Sequence, residues 1–110
     1  MEENNEERSI FVEYFGSSPL IKVLDFLIEG RMFDYSMTEI ARKSGVGWSS
    51  FTRVWKNLIE KDIVMQTRVI GNAKLFKLNA ENPWVKELIR MDKVITKLET
   101  DKLLKKKVVV

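Results

Sequence analysis

The 110-residue sequence predicts an α+β, mostly α fold: a three-helix core, a β-hairpin after the third helix, and a long C-terminal helix. Three observations predict it. Apolar residues recur at helical spacing in three segments, the hydrophobic period changes from Ile63, and capping residues mark the helix boundaries. Helix, helix, tight turn, helix, hairpin, long helix is the winged helix-turn-helix order, in which the hairpin forms the wing.

Each element has its own signal. Ser18-Pro19 reads as an N-cap followed by proline at the first helical position, where the missing N–H costs nothing. Leu20, Val23, Leu24, Leu27 and Ile28 then share one face, and Gly30 supplies the stop. Ser36-Met37-Thr38-Glu39 has the form of a capping box, with Tyr35 and Ile40 placed as a hydrophobic staple, and this short helix ends at Gly45. The third helix, after Gly47, repeats Phe51, Val54, Trp55, Leu58 and Ile59 as a buried face. Two short runs, Ile63–Ile70 and Lys74–Leu78, flank Gly71-Asn72 and read as the hairpin. Asn82-Pro83 caps a last helix that extends to about Lys107. The division expected is an acidic N-terminal arm over 1–17, a winged helix-turn-helix over 18–80, and a C-terminal dimerisation helix with a basic tail over 81–110.

Composition narrows the function. There is no Cys, which excludes disulfides and thiolate metal sites, and no His, which removes the commonest general base and transition-metal ligand. Neither a Walker-type phosphate loop nor the glycine-rich dinucleotide fingerprint occurs, so the expectation is a protein that is not an enzyme and holds no cofactor. No apolar run reaches the roughly 18 residues of a membrane span, and the acidic start is unlike a targeting signal; the expectation is a cytoplasmic protein with no membrane partner. The net charge of +3 hides an asymmetry. Residues 1–17 carry Glu2, Glu3, Glu6, Glu7 and Glu13 against Arg8 alone. Residues 40–80 carry Arg42, Lys43, Arg53, Lys56, Lys61, Arg68, Lys74 and Lys77 against Glu60 and Asp62. A basic middle of this kind suits a polyanion, and double-stranded DNA is the partner expected.

The segment Met37–Ile59 fits a helix-turn-helix closely. Ala41 is the small residue where two helices approach, Gly45 turns the chain, and Phe51 and Val54 anchor the second helix with its other face free. That free face supplies Ser49, Ser50, Thr52, Arg53, Lys56 and Asn57 as candidate DNA contacts. Arg53 is the guanine-reading candidate, because its fork can donate to O6 and N7 together. Ser49, Ser50 and Thr52 fit base or phosphate contact and also simple capping. Trp48 has two readings: exposed against a thymine methyl or sugar, or buried as a staple. Arg68, Asn72 and Lys74 around the wing tip are placed to reach a minor groove or backbone. Trp84, Leu88, Met91, Ile95 and Leu98 alternate in steps of four and three, a heptad seam, so the expected partner of the last helix is a second copy of the chain, with a helix folded back on its own domain as the alternative. Such a helix is about 37 Å long, more than three short helices cover.

With these motifs in place the chain resembles the small archaeal winged helix-turn-helix regulators related to the MarR and ArsR groups. The resemblance spans roughly residues 10–95. It rests on Phe15-Gly16-Ser17-Ser18-Pro19 leading into Lys22-Val23-Leu24-Asp25-Phe26-Leu27, on Thr38-Glu39-Ile40-Ala41 with Gly45-Val46, on Lys74-Leu75-Phe76-Lys77-Leu78-Asn79, and on Asn82-Pro83. It implies that the third helix reads DNA and that the C-terminal helix dimerises. The chain departs from the pattern where Gly47 and Trp48 replace the usual hydroxyl cap and basic residue. A homodimeric, sequence-specific transcription regulator is therefore the leading expectation. An architectural, chromatin-like DNA coat and a winged-helix protein-interaction module are the alternatives, and a small-molecule effector is left open.

Overall fold

A computed structural model describes residues 9–109. Five helices and three strands follow one another: α1 (Ile10–Phe15), α2 (Pro19–Glu29), β1 (Tyr35–Ser36), α3 (Met37–Ser44), α4 (Trp48–Glu60), β2 (Val64–Ile70), β3 (Ala73–Leu78) and α5 (Pro83–Val109). The strands form one antiparallel sheet in the order β1-β3-β2. This is the winged helix-turn-helix: α2, α3 and α4 make the three-helix core and β2–β3 the wing.

The caps act as local switches. Ser18 Oγ accepts from the Ile21 N–H at 3.3 Å with Pro19 opening α2. At α3 the box is complete: Ser36 Oγ accepts from the Glu39 N–H at 3.2 Å and Glu39 Oε1 from the Ser36 N–H at 3.0 Å. Gly45 closes α3 with φ 75°, a left-handed conformation that a side chain would strain. Gly30 ends α2 for another reason. Its φ is −98°, but a Cβ there would stand 2.6 Å from the Tyr35 hydroxyl, so glycine is needed to let the Tyr35 ring close over the helix end. That ring packs on Phe26 with centroids 4.8 Å apart.

The core is one cluster into which α2 sends Val23, Leu24, Leu27 and Ile28, α3 Ile40 and Ala41, α4 Phe51, Trp55 and Leu58, and the sheet Val64, Phe76 and Leu78. The predicted apolar stripe of α4 holds except at its edge, where Ile59 is exposed and Val54 half-buried. Two asparagines set the wing on α4. Asn82 Nδ2 donates to the carbonyls of Lys61 and Asp62 at 3.1 and 2.9 Å, and Asn79 Nδ2 to Asp62 at 3.0 Å. They hold the turn in which Asp62 adopts φ 56°.

Two elements go beyond the sequence expectation. The two-residue strand β1 pairs Tyr35 with Phe76 and Ser36 with Leu75. Within the segment expected as an acidic arm, Ser9 caps α1 by accepting from the Val12 N–H, and Phe11 and Val12 are buried. The acidic residues Glu2, Glu3, Glu6 and Glu7 lie outside the described residues. α1 packs against α5, where the Tyr14 hydroxyl donates to Glu99 Oε2 at 2.8 Å. Phe51, 0% exposed at the centre of the core, is the most demanding position. Phe51→Ala should lower the unfolding free energy by about 3–5 kcal/mol in urea titrations, whereas an exposed change such as Lys86→Ala should stay within about 0.5 kcal/mol.

Candidate nucleic-acid interface

At 100° per residue, the buried side chains of α4 fix which residues face outward. Opposite Phe51, Trp55 and Leu58 stand Ser49, Arg53 and Lys56, all exposed, with Glu60 continuing the row and Thr52, also exposed, at its edge. Ser50 and Asn57 sit at one margin, Ser50 half-buried and Asn57 exposed. Trp48 lies at the other margin. It is 52% exposed and stacks on Phe51 with ring centroids 5.4 Å apart, so the ring is neither fully buried nor free of the core. Gly47 caps α4 without a side-chain hydrogen bond, which leaves Ser49 and Ser50 unused as caps, and the Thr52 hydroxyl donates back to the Ser49 carbonyl at 3.0 Å. Arg42 and Lys43 are exposed at the end of α3, beside the turn into α4. The sequence signal for them was their place in the last turn of the first motif helix, the one that crosses the backbone in this class.

The wing divides the three residues expected there. Asn72 forms the tip with Gly71, and Lys74 follows it, exposed, on β3. Arg68 is engaged within the protein: its Nε and Nη2 donate to Asp34 Oδ2 and Oδ1 at 2.9 and 3.1 Å. The Thr67 hydroxyl reaches the same Oδ2. These contacts, led by the Arg68 and Thr67 hydrogen bonds, hold the Asp34 carboxyl at a pKa of about 2. Asp34 carried no signal in the sequence, since its partners lie more than thirty positions away.

α5 corrects the expected dimer seam at two positions. Ile95 is 4% exposed and belongs to the protomer's own core together with Phe11, and Leu88 is half-buried against it. The reason is α1, which supplies part of the cover that α2, α3 and α4 could not. Trp84, Met91 and Leu98 stay about half exposed on the flank beside that buried face, and Val94 extends the stripe. Trp84 and Asn57 both line an apolar hollow of about 510 Å³ between α2, α4 and α5, walled also by Leu20, Val54, Leu58 and Ile63. No cluster of His, Cys, Asp and Glu suited to a metal ion occurs among the described residues, and no helix there is long and apolar enough to cross a membrane.

No protein-family model matches the chain, and no curated protein matches it. Two solved structures do, both of a double mutant of Lactococcus lactis ZitR. The apo form is 19% identical with a TM-score of 0.59, over 87% of this chain and 74% of that one. The other is 20% identical with a TM-score of 0.58, over 78% of this chain and 60% of that one. At these identities the likeness is one of fold, and the fold is the winged helix with a long C-terminal helix.

The Asp34 carboxyl gives this surface a pH signature. A pKa held below its ordinary 3.8 contributes stability that is fully present above that value and is lost as pH falls toward about 2. The wing resonances of Thr67 and Arg68 should therefore shift with a midpoint near 2 in an NMR titration of Asp34; a midpoint near 3.8 would show the contacts absent in solution.

Proposed function

We propose that the chain binds duplex DNA through α4 and the wing and regulates transcription as a homodimer, with residues 18–80 as the DNA-binding unit and α5 as the dimerising one. The observation that carries this reading is the outer face of α4. A helix whose buried side is locked by Phe51, Trp55 and Leu58 presents Ser49, Arg53 and Lys56 in one row with Thr52 at its edge, and no ion pair engages Arg53 or Lys56 among the described residues. A helix enters the major groove with such a face, where Arg53 reads a guanine and Lys56 meets a phosphate. Trp48, Ser50 and Asn57 border the row, Arg42 and Lys43 approach the flanking backbone, and Lys74 and Asn72 lie on the wing. The fold likeness to ZitR is compatible with this reading and adds nothing on the target. In this reading the protein acts in the cytoplasm and needs no cofactor.

The homodimer rests on the apolar stripe of Trp84, Met91, Val94 and Leu98. Four large side chains in a row on one helix flank lose apolar contact with water when a second copy covers them, at about 25 cal/mol per Å². Leu88 and Ile95 support that stripe from inside the protomer.

Two experiments test the reading. The Arg53→Ala, Lys56→Ala double variant should lose tenfold or more in affinity, to order of magnitude, for a duplex selected from a random DNA pool, with an unchanged Tm. Undiminished binding would place the DNA surface elsewhere. In light scattering, Met91→Glu with Leu98→Glu should yield folded monomers, while Ile95→Glu should lower the Tm of the protomer itself; a dimer that survives the first pair would discard the α5 interface.

A further inference from the structure

The wing is tied to the body of the protein by a three-residue contact that a regular strand could not make. Successive side chains on a strand point to opposite faces, so Thr67 and Arg68 should not both reach one carboxylate. They do because β2 carries an irregularity between Gln66 and Arg68: Gln66 pairs with Phe76 and Arg68 with Leu75, which leaves Thr67 as an extra residue without a partner on β3. The bulge turns both side chains toward Asp34, which lies just before β1 on the opposite edge of the sheet. One carboxylate thus bridges the two outer strands over the central one. The Thr67 hydroxyl has a single proton, which serves Asp34 Oδ2, with the Leu75 carbonyl at 3.2 Å as the alternative acceptor.

The charges make the arrangement informative. Asp34 is 15% exposed, and it neutralises Arg68, which is 62% exposed at the base of a wing otherwise suited to a polyanion. If the wing served only to supply positive charge, an acid there would work against it. What the contact does supply is direction: the tip, from Val69 to Lys74, begins at the residue after Arg68. We propose that Asp34 is a positioning residue that aims the wing at DNA, and that Arg68 serves the interface through Asp34 and does not itself touch DNA. This rests on the DNA-binding reading above.

The opposing effects differ in sign, which gives the test its force. Asp34→Ala removes a negative charge from a DNA-facing surface and releases an arginine, so a purely electrostatic wing would bind more tightly. A misdirected wing binds less tightly. Affinity is measured across a salt series by fluorescence anisotropy, with a duplex enriched from a random pool by the wild-type protein. Asp34→Ala and Arg68→Ala should each weaken binding by about tenfold, the scale of couplings within one hydrogen-bond network, and keep the wild-type salt slope. Lys74→Ala should instead lower that slope by about 0.9, the loss of one phosphate contact. Should either single variant fail to fold, the charge exchange Asp34→Arg with Arg68→Asp keeps an ion pair and should recover most of the affinity. Tighter or unchanged binding by Asp34→Ala, a slope lowered by about 0.9 in Arg68→Ala, or an exchange that binds no better than the single variants would each overturn the proposal. A wild-type protein that enriches no duplex would remove the DNA-binding reading, and the proposal with it.

Discussion

Helix α4 and the wing meet through one line of aromatic rings. Trp48 stacks on Phe51 and Phe51 on Trp55, with centroids 5.4 and 5.2 Å apart, and Trp55 meets Phe76 of β3 edge-on at 5.3 Å. The line runs from the first residue of α4, through the centre of the core, into the central strand of the sheet. Such pairs contribute about 0.5–1.5 kcal/mol each beyond the area they bury, and planar rings leave few ways to repack. The rotation of α4 about its axis is fixed by this contact, and with it the set of side chains that face outward. Arg53 and Lys56 point away from the protein because Phe51 and Trp55 cannot.

The wing is held at two further points, both polar. Asn79 and Asn82 fix the Lys61-Asp62 turn, so the hairpin leaves α4 at a set angle, and Asp34 fixes the bulge on the far side of the sheet. Backbone carbonyls in a tight turn must find donors, and amide side chains that donate twice are suited to the task. An aromatic anchor within and polar ties at the margins hold the base of the hairpin, and the exposed tip from Val69 to Lys74 projects beyond them.

What the sequence discloses follows from the range of the interactions. Ser18-Pro19, the Ser36–Glu39 box, Gly45 and Asn82-Pro83 act within four residues of themselves, so they are legible one at a time, and the helical periods of α2 and α4 are equally local. The outward row on α4 was legible for the same reason, as the complement of the Phe51–Trp55–Leu58 stripe. α1 was not legible: six residues with three adjacent apolar side chains show no period, and the helix exists because Phe11 and Val12 find a surface on the core. β1 depends on pairing with β3, forty positions away in the chain. The α5 seam shows the limit most clearly. Its alternating steps of four and three were real, but a stripe that marks burial does not say against which chain the residues are buried. The protomer's own core took Ile95 and part of Leu88, and Trp84, Met91 and Leu98 were left about half exposed.

That division of α5 has a mechanical consequence. Val85 near its start is 0% exposed and Ile95, almost three turns later, is 4% exposed, so two separate contacts in one protomer fix how the helix is rotated. The α2 side of the same helix is polar. Burial raises the pKa of Asp25, Glu29 and Asp92 where they approach one another, Ser9 donates to Asp25 at 2.9 Å, and Arg31 opposes the shift at Glu29 and Asp92. Carboxylates raised by burial disfavour close packing at neutral pH, so the apolar grip of α1 and the core carries α5, not this seam. The flank bearing Trp84, Met91 and Leu98 is therefore presented at a fixed orientation to α4, since both helices are keyed to the same core. A two-fold axis through that flank would set the separation of two α4 helices by packing alone. In the proposed DNA-bound dimer the two α4 helices must match groove faces about 34 Å apart or at multiples of that, and a rigidly keyed α5 would suit that spacing.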